Sequence, residues 1–147
     1  VLNHRERKAS LTGGKLVTTE SSLSPITSHR DLIVWQKSMD LVDLIYDLTD
    51  RFPNREYRAL IPQISRSVVS VPANIAEGQA RVTARDFANF LVISRSSLME
   101  TETLLTVAVR RKYVKQSEAT SAFVLITEIS KMLTALRVRI LGARRRT

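Results

Sequence analysis

Residues 63–78 read QISRSVVSVPANIAEG, and the spacing of side chains in this stretch decides the fold. Its apolar residues recur every three or four positions, as on one face of an α-helix: Ile64, Val68, Val71 and Ile75. A second face is polar but almost uncharged, whereas a solvent-exposed face usually carries many charges. We therefore predict that this face packs against another helix, and we assign it to a subunit interface: Gln63, Ser67, Ser70, Asn74 and Glu77. A weakly charged solvent face is the alternative.

The two ends of this helix follow from its flanking residues. The apolar stripe extends back through Leu60 to Tyr57, so we expect the helix to begin after Asn54, a favourable N-cap residue. Gly78 is expected at the C′ position, where glycine ends many helices. Each of the two prolines removes a backbone donor and is expected to start a segment or kink the helix: Pro62 and Pro72.

Three further helices are predicted from the same kind of spacing. The first covers residues 32–51 and combines a broad apolar face with an acidic back: Asp40, Asp43, Asp47 and Asp50. The third opens at Thr83-Ala84-Arg85-Asp86, which resembles a capping box, and runs to about Lys112. The fourth starts near Ser117 and carries apolar side chains as far as Ile140.

Four helices joined by short connections predict an all-α fold, an antiparallel up-down-up-down four-helix bundle. We assign this bundle to residues 29–147. Residues 1–28 are rich in Ser, Thr, Gly and charge without an apolar period, and they predict a flexible polar tail.

The composition argues against catalysis. The chain has no cysteine, and its two histidines, His4 and His29, lie outside the periodic segments. We therefore expect no catalytic residue, no metal site, no cofactor and no small-molecule substrate. No uninterrupted apolar run of about 20 residues is present, which predicts a soluble, cytoplasmic protein without a membrane partner.

The net charge of +9 comes from 23 basic and 14 acidic residues and predicts a polyanionic partner. In an up-down bundle the cations gather at both ends. We predict that nucleic acid binds at one end through Arg81, Arg85, Arg137, Arg139, Arg144, Arg145 and Arg146, and at the other through Arg110, Arg111 and Lys112. Arg51, Arg55, Arg58 and Lys115 belong to this second end.

Two glutamates of the third helix, Glu100 and Glu102, align with apolar positions. A buried carboxylate needs a partner, so we predict structural ion pairs with Arg66 and Arg95. Two carboxylates two residues apart point to different sides of a helix and do not form a general acid/base pair.

The chain carries four motifs in order: Asp31-Leu32-x-Val34-Trp35-Gln36-Lys37, Leu48-Thr49-x-x-Phe52-Pro53, Gln63-Ile64-x-Arg66-x-x-x-Ser70-Val71-Pro72-x-Asn74-Ile75-Ala76-Glu77-Gly78-x-x-Arg81 and Phe90-Leu91-x-Ile93-x-Arg95-x-Ser97-Leu98-x-Glu100-x-Glu102. Together they resemble the four-helix-bundle family named for rRNA intervening-sequence proteins. The resemblance implies a homopentameric bundle with no known enzymatic activity. More distantly the chain resembles the accessory variability determinants of diversity-generating retroelements, which are basic pentamers that bind a reverse transcriptase and nucleic acid.

Two functions follow as hypotheses. The first is a non-enzymatic, homo-oligomeric scaffold, expected to be a pentamer, that binds nucleic acid, RNA above DNA, through its arginine-rich ends. The alternative is a protein-interaction adaptor whose basic surface docks an acidic partner, for example a reverse transcriptase of a retroelement.

Overall fold

The computed structural model describes residues 28–143 and contains four long helices. A 3₁₀ helix, His29–Asp31, precedes α1 (Ile33–Thr49), and a second 3₁₀ helix, Asn54–Arg58, precedes α2 (Leu60–Gln79). The chain continues as α3 (Ala84–Arg110) and α4 (Gln116–Ala143). No strand occurs within residues 28–143, so the predicted all-α, four-helix fold is confirmed. The tail prediction concerns residues that lie outside the described range, except for Ser28, and the division at residue 29 stays a prediction.

Each helix packs against two others, α1 and α3 against α2 and α4. Ion pairs at both ends of α1 give its direction relative to α4. Lys37 Nζ lies 2.8 Å from Glu128 Oε1, and Arg51 Nη1 lies 2.9 Å from Glu118 Oε1. Residue numbers rise along α1 while those of its partners fall along α4, so the two helices are antiparallel.

The core lies between the four helices and consists almost entirely of aliphatic side chains. Its largest fully buried members are Leu41, Ile45, Ile64, Val68, Val71, Ile75, Leu91, Leu98, Leu105, Ile126, Ile129 and Leu133. Those from α1 and α2 are the stripes predicted from spacing. The opposite face of α1 is exposed and acidic, also as predicted: Asp40, Asp43, Asp47 and Asp50.

Helices α2 and α3 approach each other closely because small residues line their contact. Ser67 Oγ lies 2.9 Å from Thr101 Oγ1, and Ser70 Oγ lies 2.9 Å from Ser97 Oγ. Ser94 Oγ donates to the Val71 carbonyl at 2.8 Å. Each step along α2 meets an earlier residue of α3, which makes this pair antiparallel as well.

Gly78 has a different role from the one predicted. Helix α2 continues to Gln79, and the Gly78 backbone does not adopt the left-handed conformation of a C′ residue, so that assignment is wrong. A Cβ added at Gly78 would lie 2.6 Å from the Cβ of Phe90 and 2.9 Å from Cδ2 of Phe87. The glycine is therefore required because α3 passes too close for any side chain.

The start of α2 also differs from the prediction. Asn54 begins a separate 3₁₀ helix, and α2 starts at Leu60, whose N–H donates to the Glu56 carboxylate at 3.2 Å. Pro62 therefore lies in the first turn, where no backbone donor is needed. Because the 3₁₀ helix has its own phase, Tyr57 does not continue the apolar stripe and is 67% exposed.

Two helix starts carry side-chain caps. Thr83 Oγ1 accepts from the Asp86 N–H at 3.1 Å, which confirms Thr83 as the N-cap of α3. A complete capping box, missed from the sequence, links Ser28 and Asp31 at the first 3₁₀ helix. Pro72 lies inside α2 without ending it.

Helix α4 is long and apolar enough to cross a membrane by length and composition, with a mean hydropathy of 1.3 over its best window. One third of that window, 33%, is buried in the bundle. Since core helices of soluble proteins pass the same test, this property alone does not indicate a membrane segment.

We expect Gly78→Ala to destabilise the protein because the new methyl group has no room against Phe90. Overpacking of this kind costs about 1–3 kcal/mol. Gly142→Ala is the matched control: it is also a helical glycine, with no atom within 4 Å of its added Cβ. Chemical denaturation should show a lower free energy of unfolding for Gly78→Ala than for Gly142→Ala. Equal stability of the two variants would contradict the close approach of α2 and α3.

Candidate nucleic-acid interface

The cations of the bundle concentrate at its two ends. We call residues 50–58 and 110–118 the Arg55 end, which joins the connection after α1 to the connection after α3. It contains seven cations and three carboxylates: Arg51, Arg55, Arg58, Arg110, Arg111, Lys112 and Lys115, against Asp50, Glu56 and Glu118. This end is therefore strongly positive, whereas the exposed face of α1 is acidic.

Two of these carboxylates have local structural roles. Glu118 accepts the Lys115 N–H at 3.0 Å and pairs with Arg51. The Lys115 N–H, followed by the Arg51 hydrogen bond, lowers the pKa of Glu118. This ion pair links the start of α4 to the residues after α1. The side chain of Lys115 forms no ion pair among residues 28–143.

Glu56 is the centre of a network that joins the 3₁₀ helix Asn54–Arg58 to the α3–α4 connection. Tyr113 OH donates to Glu56 Oε1 at 2.7 Å, and Arg55 Nη2 donates to Tyr113 OH at 3.3 Å. The Arg55 guanidinium also lies over the Tyr113 ring, 5.5 Å from its centroid. The Tyr113 hydrogen bond, followed by the Leu60 N–H, lowers the pKa of Glu56. Sequence reasoning missed Glu56 and Tyr113, because nothing local links residues this far apart in the chain.

The C-terminus of α3 ends in a Schellman motif. The Tyr113 N–H donates to the Ala108 carbonyl and the Lys112 N–H to the Val109 carbonyl, both at 2.9 Å. The residue at C′ is Lys112, with φ of 62°. Glycine is the usual residue there, and a side chain in the left-handed region costs about 1–2 kcal/mol. Lys112 therefore holds a cation at a position where its backbone is strained.

At the other predicted end, one of the arginines is already engaged in contacts within the bundle. We call Arg81, Arg85, Arg137 and Arg139 the Arg81 end. Arg81 Nη2 lies 3.2 Å from Glu77 Oε1, and its guanidinium lies 4.7 Å from the Phe90 ring centroid. Arg81 thus joins α2 to α3, while the other three are exposed and form no ion pair among residues 28–143. Arg144, Arg145 and Arg146 lie outside the described residues.

The predicted structural ion pairing of Arg66, Arg95, Glu100 and Glu102 is wrong within the described part of the chain. Glu100 is exposed, as are its apolar neighbours on the same line, Ile93 and Val107. Glu102 is only partly buried, and neither glutamate forms an ion pair among residues 28–143, so no fully buried carboxylate needed a partner. Arg95 Nε instead donates to Ser130 Oγ at 3.2 Å.

The polar stripe of α2 divides into two parts. Ser67, which is 4% exposed, and the partly buried Ser70 contact α3 of the same chain, so for Ser67 the subunit-interface assignment is wrong. Asn74 Nδ2 donates to the Ser70 carbonyl and hydroxyl, both at 2.8 Å. Gln63 and Glu77 are exposed. A subunit contact through Gln63, Asn74 and Glu77 stays a prediction.

No group of three or more His, Asp or Glu side chains within residues 28–143 is arranged to hold a metal ion. The described carboxylates that have partners serve helix starts and ion pairs. The cations of the two ends can therefore attract an anion and donate hydrogen bonds to it.

Fold and surface together define a small, basic helical bundle with cationic ends. The sequence profile of the 23S rRNA-intervening sequence protein family matches residues 30–135, and the chain belongs to this family. The structure is similar to the crystal structure of a protein of unknown function from the S23 ribosomal protein family of Bacteroides thetaiotaomicron. The TM-score is 0.66 at 29% sequence identity, over 71% of this chain and 98% of that one. No curated protein matches the sequence.

We expect Lys112→Gly to raise the free energy of unfolding by about 1 kcal/mol, because glycine adopts the left-handed conformation without a Cβ clash. Lys112→Ala is the control, since it removes the same charge but keeps the strained backbone. Thermal and urea unfolding of the two variants should differ. If alanine stabilises the protein as much as glycine does, the strain at this position is not real.

Proposed function

We propose that this protein is a non-enzymatic, cytoplasmic scaffold that binds nucleic acid, RNA above DNA, through its cationic ends. The observation that carries the proposal is the excess of cations over carboxylates at the Arg55 end, where most cations form no ion pair within the described part of the chain. At the Arg55 end, Glu118 is paired with Arg51 and Glu56 accepts neutral donors. The remaining cations form no ion pair among residues 28–143: Arg55, Arg58, Arg110, Arg111, Lys112 and Lys115.

Six cations on one end suit a phosphate backbone better than a compact ligand. Single exposed charges contribute little, whereas several phosphate contacts made together give strong, salt-dependent binding through counterion release. The strained Lys112 supports the same function, because a cation is kept where glycine would be more stable. Membership of a family named for an rRNA element favours RNA.

We assign the leading role to the Arg55 end. At the Arg81 end, the charge of Arg81 is balanced by Glu77 and its guanidinium lies over Phe90. Arg85, Arg137 and Arg139 supply a second, weaker set of phosphate contacts, together with Arg144, Arg145 and Arg146. One protomer therefore offers two sites, and a homo-oligomer multiplies them along a single nucleic acid chain.

Self-association is the second part of the proposal, with a pentamer as the expected state. Its support is the outward part of the α2 stripe, Gln63, Asn74 and Glu77. Asn74 Oδ1 accepts no hydrogen bond among the described residues although the side chain is only partly exposed. Asn74 Oδ1 is open to solvent, and a donor from a second subunit would replace water there.

We expect the affinity for RNA, measured by filter binding, to fall steeply with salt. The slope of log K against log[salt] should be about −4 for six phosphate contacts on a single strand. The double variant Arg58→Glu, Arg111→Glu should reduce both the affinity and this slope, equally for unrelated sequences, because phosphate contacts carry no sequence information. Lys131→Glu, a single charge reversal at an exposed site on α4, is the control for each of the single variants Arg58→Glu and Arg111→Glu.

A salt-independent titration, or an equal loss for Lys131→Glu, would contradict binding at the Arg55 end. If RNA and DNA do not bind at all, the adaptor function with an acidic protein partner becomes the better hypothesis.

We expect Asn74→Leu to disturb assembly without changing helix content, because the larger apolar side chain replaces a polar contact on the outward face of α2. Light scattering at micromolar concentration should show a smaller oligomer, and circular dichroism should be unchanged. Thr120→Leu, on the exposed face of α4, should leave the oligomer intact. A monomeric wild-type protein would contradict self-association.

A further inference from the structure

We propose that the Arg55 end binds an unpaired nucleotide, whose base stacks on the ring of Tyr57 while Arg55 and Arg58 contact the adjacent phosphates. This inference rests on the proposed nucleic-acid binding and specifies its ligand as single-stranded. It concerns a residue that the sequence pattern had placed in the core.

Tyr57 is exposed for no structural reason that the fold supplies. It is 67% exposed, whereas the other aromatic side chains of this end, Phe52 and Tyr113, pack together with ring centroids 5.7 Å apart. Tyr57 makes no hydrogen bond or ring contact among residues 28–143. An exposed aromatic ring on a cationic surface is the arrangement by which proteins hold single-stranded nucleic acid, and Tyr57 lies between Arg55 and Arg58 along the chain of the cationic Arg55 end.

The backbone that carries Tyr57 is rigid. Its neighbour Glu56 accepts from Tyr113 OH and from the Leu60 N–H. The Glu56 N–H donates to the Pro53 carbonyl at 2.9 Å, and the Ala59 N–H donates to the Glu56 carbonyl at 3.1 Å. Because these bonds hold the short 3₁₀ helix in place, little backbone entropy is lost when the Tyr57 ring binds a base.

The cations beside Tyr57 are positioned for phosphates. Arg58 is exposed and forms no ion pair among residues 28–143, and Arg55 is oriented by Tyr113 OH. The nearest carboxylate along the chain, Glu56, is already engaged by two donors. A phosphate bound beside Tyr57 therefore has two arginines within three residues of the ring along the chain.

A groove of about 390 Å³ starts beside the same turn, with Glu56 and Ala59 in its wall. Its lining combines the apolar Leu60, Leu104 and Val107 with the polar Gln63 and Tyr113 and the cation Arg111. The groove offers the next base an apolar surface and its phosphate a further cation. In a duplex both bases are paired and stacked internally, so this site selects unpaired strands.

The test is fluorescence anisotropy of the 147-residue chain with a labelled oligouridine of about 12 nucleotides, an abasic strand of the same length, and an RNA duplex. Wild type should bind the oligouridine more tightly than the abasic strand. Tyr57→Ala should weaken oligouridine binding about tenfold, in line with the usual contribution of one stacked base. It should leave binding to the abasic strand and the duplex unchanged.

Two variants serve as controls. Tyr57→Phe keeps the aromatic ring and should bind as wild type does. Tyr46→Ala removes the comparably exposed tyrosine of α1, next to the acidic face, and should have no effect. Circular dichroism of Tyr57→Ala should match wild type, because the ring supports no packing.

The outcomes separate this inference from the proposed function. If wild type binds all three ligands with salt dependence but Tyr57→Ala binds them equally well, stacking is wrong and phosphate binding stands. An equal loss on the base-containing and abasic strands would also overturn stacking. If wild type binds none of the ligands, the proposed function itself fails.

Discussion

The close contact between α2 and α3 is the constraint on which the rest of the molecule depends. Gly78 lets the two backbones approach, and the hydroxyl pairs Ser67–Thr101 and Ser70–Ser97 satisfy the polar groups that this approach buries. Small polar residues in a seam are stable only when each hydroxyl has a partner, since an unpaired buried donor costs about 1–3 kcal/mol. The seam fixes the register of α3, and with it the position of the Arg55 end.

That end is built from parts of the chain that meet only after the bundle has formed. The 3₁₀ helix Asn54–Arg58 and the residues after α3 are joined by Glu56 and Tyr113 across the helix ends. Glu56 accepts from Tyr113 OH and from the Leu60 N–H and keeps its negative charge, but the cations of the Arg55 end outnumber its carboxylates by seven to three. Together with the left-handed Lys112, this produces a concentrated positive surface with a rigid backbone.

Part of the fold was predictable because apolar residues spaced three or four positions apart usually form the buried face of a helix. The stripes of α1 and α2 and the N-cap Thr83 follow directly from local sequence. The errors arose where tertiary contacts override local signals. Gly78 resembles a helix terminator but serves a helix crossing, and Tyr57 matches the helical period but belongs to a separate turn. The outward line of Glu100 on α3 has the same cause, since apolar spacing does not distinguish a core face from an exposed one that carries Ile93 and Val107.

The clustering of cations at the two ends was predictable from topology. Which of these cations form ion pairs was not predictable, because ion pairing depends on contacts between helices.

The proposed site for nucleic acid is the Arg55 end. Its most direct test is NMR mapping of backbone amide shifts while a single-stranded RNA is added to the protein. We predict perturbations concentrated in residues 54–58 and 110–115, with the acidic face of α1 unaffected. Perturbations confined to other surfaces, or none at concentrations that saturate binding, would contradict the account.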